Sequence, residues 1–522
     1  MNHSLSHGCR GQALKVSSQH RSARHNRQRP LRVMKFGGTS VADANCISKV
    51  VEIIREHART GDLVVVVSAM AGVTNDLIEA ANQAKLGNYS AVATIVAGLR
   101  RRHEDVVNSF RYSNEKPRLQ ETIQRLLNEC DQLCRGTMLL GELTSRAQDF
   151  ISSLGERLSA PLVAAALKEQ GIASQAVDAT ELIVTNSYHG AADPLIEPTR
   201  DRSESNLRPL LDRGMIPIVT GFIGATEDGV LTTLGRGGSD YSAAILGAAL
   251  GADEVIIWTD VDGLLSADPR LVPEAHVIPE ISYREASELA FFGAKVLHPK
   301  TLRVLVDSDT PVWIRNTFSP QSSGTKITRS GPENGTERNA VTSICEAALI
   351  ALSGYSIATL SNVLGRVLAA TSAIHVEILM IAQSSAQNDI SLVVPAARAV
   401  DTVEALRYEF AEELLTGNPD QVISHIAVAV ITAVTHDTGR APSGRLLAAL
   451  HRENINLLAV AHSVGDRKIS VVVARNDLKT AVLTFHDELQ AGMTQQPAHA
   501  LTTANRPALW YSGSPRPRAD AD

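Results

Sequence analysis

The sequence predicts an α/β protein: a sandwich with a mainly parallel central sheet, followed by two smaller α/β units. Three observations predict it. From Leu31 onward apolar strands alternate with turns and helical stretches; residues 90 to 170 are strand-poor and helical by period; and the last third contains an internal repeat. Taken in order, Leu31 to Phe36 reads as a strand, Gly37 and Gly38 as a turn, the stretch from Asp43 as a helix, and Leu63 to Ser68 as a second strand. Strands resume at Ile216 to Thr220, Val230 to Thr233, Glu254 to Trp258 and Pro311 to Ile314. Ser319 to Asn339, rich in Ser, Gly and Pro, reads as a linker. Beyond it, the segment beginning GRVLAATSAI at Gly365 aligns without gaps to the segment beginning GRLLAALHRE at Gly444, 79 residues later. Each copy reads helix, strand, short turn, strand, which means a pair of small units rather than a solenoid. The expected boundaries are a leader at 1–30, a large α/β domain at 31–320, a linker at 321–340, two small units at 341–420 and 421–490, and a tail at 491–522.

Composition narrows the function classes. A chain of 522 residues with 44% hydrophobic and 20% charged residues has the makings of about three packed domains. The net charge of −6 gives no global reason to expect nucleic acid or an anionic membrane as partner. No apolar run reaches the roughly 18 residues of a membrane span. Basic residues nevertheless gather at the start, where Arg10, Lys15, Arg21, Arg24, Arg27, Arg29, Arg32 and Lys35 all precede the first acidic residue, Asp43. This reads as a disordered leader: an organellar transit peptide, a solvated tail or an upstream start. Five cysteines make no disulfide framework, so a reducing cytoplasm is expected, or an organelle if the leader is a transit peptide. Cys130 and Cys134, spaced i, i+4, are expected to be structural thiols, because no second Cys/His pair lies near them.

Three segments carry candidate chemistry. In VMKFGGTS, Lys35 closes the first strand, and Gly37 and Gly38 let backbone N–H groups approach an anion. The segment matches neither the phosphate loop GxxxxGK[ST] nor the dinucleotide fingerprint GxGxxG, and a tight strand-to-helix turn explains it equally well in isolation. In TTLGRGGSDYSAA, Ser239 or Asp240 is expected to cap a helix, and Arg236 between glycines points to a carboxylate or phosphate. In WTDVDGLLSADPR, a strand delivers Thr259 and Asp260 to a loop at its carboxyl end, where open α/β sheets bind ligands. Its aspartates lack the spacing of a calcium loop. Lys295, in FGAKVLHP, reads by itself as a solvated surface lysine.

Together these segments resemble the aspartate kinase branch of the amino-acid kinase family. KFGGTSV, SAMAGVTN, LGERLSA, TTLGRGGSDYSAA, WTDVDG and FGAKVLHP occur in the family's order over residues 31 to 490, and the repeat looks like its tandem ACT domains. The resemblance implies an amino-acid kinase three-layer sandwich with a mainly parallel central sheet, followed by two α+β ACT domains, and ATP-dependent phosphorylation of the β-carboxylate of L-aspartate. It implies that Lys35, Phe36, Gly37, Gly38 and Thr39 meet the ATP phosphates, that Lys295 stabilises charge on the nucleotide side, and that Asp240 holds the lysines. Thr259, Asp260, Leu265 and Arg270 would contact the nucleotide, although Leu265 stands where relatives often carry Tyr. On the substrate side, Arg236 would pair with an aspartate carboxylate and Glu156 with its ammonium, with Thr74, Gly237, Gly238 and Ser239 completing the site. No triad of metal ligands is visible, so Mg²⁺ would arrive with ATP.

The repeat also implies regulation. Gln383, Ser384 and Ser385 are expected to open the turn before the strand holding Ile390, a pattern similar to threonine-sensitive aspartate kinases. Gln383, Ser384 and Ile390 are therefore the expected effector contacts, with threonine favoured over lysine. His462 occupies the position of Gln383 in the second copy, so that copy is expected to serve packing or assembly. By resemblance the ACT pair would assemble a homodimer or homotetramer. Fewer than 50 residues follow Val473 and none forms GxGxxG, so a single activity is expected. The alternatives are a sibling kinase acting on another acidic substrate, and an inactive amino-acid sensor.

Overall fold

The computed structural model describes residues 29–110, 114–293, 297–332, 339–353, 360–384, 389–412, 422–435, 443–462 and 468–494. Its larger part opens with β1 (Leu31–Phe36), α1 (Ala44–Ala58) and β2 (Asp62–Val67), with Asp43 capping α1 by accepting from Cys46 N. Four long helices follow, α2 (Val73–Lys85), α3 (Tyr89–Ser109), α4 (Lys116–Leu140) and α5 (Ser145–Glu169). Then come β3 (Ser174–Val177), α6 (Ile196–Asp212), β4 (Ile216–Thr220), the hairpin β5 (Ile223–Ala225) and β6 (Leu231–Thr233), α7 (Gly238–Ala249) and β7 (Glu254–Thr259). The part closes with β8 (Glu280–Ser282), α8 (Tyr283–Phe291), α9 (Pro299–Ser308), β9 (Val312–Asn316) and β10 (Thr325–Thr328).

Eight of these strands form one sheet in the order β3-β4-β2-β1-β7-β9-β10-β8, parallel except where β10 meets β9. Strand period two sends alternate residues to opposite faces. Met34, Phe36, Val65, Val67, Ile256 and Trp258 enter a core shared with α1 to α5. Leu31, Val33, Val64, Val66, Val255 and Ile257 enter a second core shared with α6, α7 and α9. The result is the expected three-layer sandwich. Lys35 has the parity of Leu31 and Val33, so it lies on the face covered by α7.

Two expectations about the chain's connections are corrected. The segment read as a linker contains β10, whose Thr325 and Ile327 are fully buried and which pairs with both β8 and β9. Its four residues alternate buried and half-buried, a period concealed by the polar, Gly-rich flanks. The tail expected from Ala491 begins instead inside a helix that runs to Thr494.

The C-terminal part comprises β11 (Ala340–Ser353), α10 (Leu360–Ala373), β12 (Met380–Ser384), β13 (Asp389–Pro395), α11 (Ala399–Glu409), β14 (Val422–Val434), α12 (Ser443–Arg452), β15 (Leu457–His462), β16 (Lys468–Ala474) and α13 (Leu478–Thr494). Its six strands form one antiparallel sheet, β12-β13-β11-β14-β16-β15, in which β11 and β14 pair along nearly their whole length and join the two copies of the repeat. Gln383 pairs with Ile390 in the first copy, and His462 with Ile469 in the second, at the same offset of 79 residues. Gln383 is thus the fourth residue of β12 rather than part of a turn.

The two parts share a core. Ala267 and Val272, from the loop after β7, are buried in one cluster with Leu446, Leu450, Val482, Phe485 and Leu489. Ser266 Oγ lies 3.1 Å from His486 Nε2 on α13, and Val341 N donates to Ser266 O at 2.8 Å. Removing the Phe485 ring leaves a cavity in this cluster at a cost of about 3–5 kcal/mol. The expected outcome for Phe485→Ala is faster amide hydrogen exchange both in α12 and α13 and in residues 264–278. Faster exchange in the helices with the loop unchanged would contradict a shared core.

Candidate active site

The carboxyl ends of β1, β2 and β4, the start of α7 and one face of α5 surround a cleft of about 670 Å³. The chain leaves β1 for β2 on one side of the sheet and returns through β7 on the other, which is where parallel sheets open a crevice. Lys35 enters this cleft from the carboxyl end of β1, as its penultimate residue. It is 8% exposed, and its Nζ lies 2.5 Å from Asp240 Oδ1 in the first turn of α7. Both side chains are largely withdrawn from water, so each is the other's charge partner, and removing one would leave a buried charge uncompensated. Gly38 is required next to Lys35, because a Cβ there would stand 2.9 Å from Ala69 O.

α7 begins after Gly237, which caps it without a side-chain hydrogen bond. This corrects the expectation that Ser239 or Asp240 caps the helix. Ser239 is already the second helical residue, packed beside Gly221, and the Asp240 carboxylate is turned to Lys35. The first-turn N–H groups and the Asp240 charge therefore share one end of the helix, where an anionic side chain is favoured.

Glu156 lies on the far wall, from α5, and is 3% exposed. Its Oε1 accepts from Ala69 N at 3.1 Å, while Oε2 has no hydrogen-bond partner. Burial pushes its carboxyl up to about 8, against the downward pull of the Ala69 N–H and the Lys35 charge. Glu156 is thus a proton holder near neutral pH, and a cation brought beside it would ionise it.

The cleft gathers Lys35, Gly38, Thr74, Glu156, Arg236, Gly237, Gly238, Ser239 and Asp240, all named from sequence. Phe36 contributes no side chain to it, being fully buried and stacked on Trp258 with ring centroids 6.0 Å apart. Gly37 donates its N–H to Trp258 O at 3.1 Å, so that N–H is already used. Thr39 starts the short turn that follows. Thr259 Oγ1 is 3.1 Å from Asp260 Oδ1 at the end of β7, and Leu265 lies farther along that loop, bridged to Val277. Arg270 has a 78% exposed side chain engaged with Asp268 two residues earlier. Lys295 and Ser385 lie outside the described residues, as does the side chain of Ser384. In the C-terminal sheet Gln383 is exposed and Ile390 buried. Cys130 and Cys134 are both buried in α4, and among the described residues no group of three or more His, Cys, Asp or Glu could hold a metal ion. No described helix is long and apolar enough to cross a membrane.

The amino acid kinase family profile matches residues 30–316, more than half of the chain, and an ACT domain profile matches 350–410 and 442–489. The chain belongs to the amino acid kinase family. It is 31% identical over 474 residues to a bifunctional aspartokinase/homoserine dehydrogenase of Haemophilus influenzae, covering 88% of this chain and 56% of that protein. It is 39% identical over 296 residues to the lysine-sensitive aspartokinase 3 of Escherichia coli, covering 56% of this chain and 63% of the relative. Its fold matches E. coli aspartokinase III, solved in complex with aspartate and ADP, with a TM-score of 0.75 at 28% identity over 88% of this chain and all of that one. The chain spans about half the length of the bifunctional relatives it matches.

Within this amino acid kinase cleft, sequence reasoning missed Asp149, Gly190 and Thr233, and behind them His189, which meets Asp149. Asp149 was detectable: it precedes Glu156 by seven residues and so shares a helix face with it. The loop bearing His189 offered no such signal.

The raised Glu156 carboxyl has a stability consequence. Its folded-state value lies above its unfolded value, so the folded protein loses stability as pH climbs from about 4.5 toward about 8, where the buried charge forms. Glu156→Gln escapes that loss. In ligand-free protein the melting temperature of Glu156→Gln relative to the wild type should therefore rise between pH 5 and pH 9; a difference independent of pH would contradict the burial argument.

Proposed function

We propose that the chain is an aspartate kinase, transferring the γ-phosphoryl group of ATP to the β-carboxylate of L-aspartate. The observation that carries this reading is the convergence of the Lys35–Asp240 pair, Arg236 and Glu156 on one cleft. A β-carboxylate oxygen forms the new bond to the γ-phosphorus as the bond to the β,γ-bridging oxygen breaks, and ADP departs with that oxygen. The attacking group is already ionised at neutral pH, so no general base is needed, and the work consists of positioning and neutralising charge. Lys35 supplies positive charge beside the transferring group, steered by Asp240, and Gly38 and the start of α7 offer backbone N–H groups. Arg236 pairs with a carboxylate of the substrate. Glu156 takes the substrate ammonium, which ionises it and offsets the cost of its burial. Lys295, Thr259, Asp260, Leu265 and Arg270 are proposed on the nucleotide side, Arg270 after exchanging Asp268 for a phosphate. Mg²⁺ would be held chiefly by the ATP phosphates and water and would neutralise phosphate charge there, since a hard cation that keeps several waters needs only one or two protein carboxylates.

The ACT pair is proposed to bind an inhibitory amino acid through Gln383, Ser384 and Ile390, with threonine favoured, and to join copies of the chain. Gln383 supports this because its exposed amide both donates and accepts, as a small hydroxy amino acid requires. The name of the E. coli relative supports lysine as the competing effector.

Aspartate-dependent ADP release tests the whole reading. The wild type should turn over. Lys35→Ala should lower kcat on the order of 100- to 1,000-fold, as loss of a group that stabilises transition-state charge does. Arg236→Ala should chiefly raise KM for aspartate, by on the order of 10- to 100-fold for a lost charged hydrogen bond. Near-normal kcat in the first variant, or unchanged KM in the second, would remove those roles. Threonine should inhibit the wild type but not Gln383→Ala; inhibition by lysine alone would reverse the effector assignment.

A further inference from the structure

The geometry points to Asp149 as a positioning residue for the substrate arginine, a role that rests on the kinase reading of the cleft. Asp149 is 2% exposed on α5 and carries four donors. His189 Nδ1 lies 2.7 Å from Oδ2, Gly190 N lies 3.0 and 3.1 Å from the two oxygens, Thr233 Oγ1 donates to Oδ1 at 2.6 Å, and Thr233 N approaches Oδ2 at 3.3 Å. An acceptor-only carboxylate suits that set, and it assigns the proton of the His189 bond to Nδ1.

These bonds tie three separate pieces of chain together: α5, the loop holding His189 and Gly190, and the end of β6. The loop and the strand are also joined directly, by Ala192 N donating to Thr233 O at 2.8 Å. Arg236 follows Thr233 by only three residues, and the intervening Gly235, with φ of 81°, packs so closely that a Cβ there would stand 3.1 Å from Gly190 O. The backbone leading to Arg236 therefore rests on the platform that Asp149 holds. Glu156 stands two turns farther along the same helix face. One carboxylate thus fixes the span between the side chains proposed for the two ends of the amino acid, and it does so without reaching the nucleotide side.

Asp149→Asn is nearly isosteric but turns an NH₂ group toward at least one of those donors, leaving a buried donor unpaired. We expect KM for aspartate to rise tenfold or more, with KM for ATP changed by less than twofold. A residue that merely supported the fold would move both constants or neither. Thr233→Val, which deletes only the Oγ1 bond, should raise KM for aspartate in the same direction by a smaller factor, and in the double variant the two effects should fall short of multiplying. If Asp149→Asn fails to fold, Thr233→Val decides. Unchanged KM for aspartate in a folded variant, or equal rises in both constants, would overturn this inference while leaving aspartate turnover by the wild type intact. A wild type with no aspartate-dependent turnover would overturn the inference together with the reading beneath it.

Discussion

Lys35 cannot be placed on β1 without Asp240. A lysine at that position of a central strand has the parity of Leu31 and Val33 and points into the α7 layer, where only an opposite charge makes its burial tolerable. The start of α7 supplies that charge, and its own helix end favours it. Much of the cleft follows from this pairing. The turn after β1 must come close to Ala69, which demands Gly38, and α7 must begin beside the carboxyl end of β1. An ammonium held by this short contact to Asp240 would already be oriented for the phosphate proposed to meet it. The price is a charge pair that does little for stability and much for geometry.

The sandwich was legible because its strands are long apolar runs and its helices have a clear period. The face of the sheet reached by Lys35 follows from strand parity alone. The two small units were legible from the repeat, and the equal pairings of Gln383 with Ile390 and His462 with Ile469 show how literally the copies align. Features set by tertiary contact were concealed. The four residues of β10 read as linker because their strand character comes from β8, β9 and the hydrogen bonds of Thr325 to Leu264 and Ile278. Ser239 looked like a helix cap, yet Gly237 takes that place. Asp149 carried no motif, since its meaning lies in partners about 40 and 84 residues away. Lys295 stays an inference from resemblance to the family, lying outside the described residues.

The shared core joins the loop after β7 to α12 and α13, so the part matching the ACT profile is packed against the loop proposed for the nucleotide. Ala267 and Val272 belong to the same packed cluster as Phe485, and Ser266 touches His486. A close-packed cluster passes a displacement on rather than absorbing it. The first copy of the repeat reaches that cluster through the β11–β14 pairing, so an effector bound near Gln383 would act through a continuous sheet.

Under the proposed function, Asp240 acts on turnover through Lys35. A double-mutant cycle on kcat measures that dependence directly. Asp240→Asn should lower kcat strongly in the wild-type background and have little further effect once Lys35 is alanine. Independent, multiplying losses from Asp240→Asn and Lys35→Ala would show that the carboxylate acts by another route and would contradict a role through Lys35.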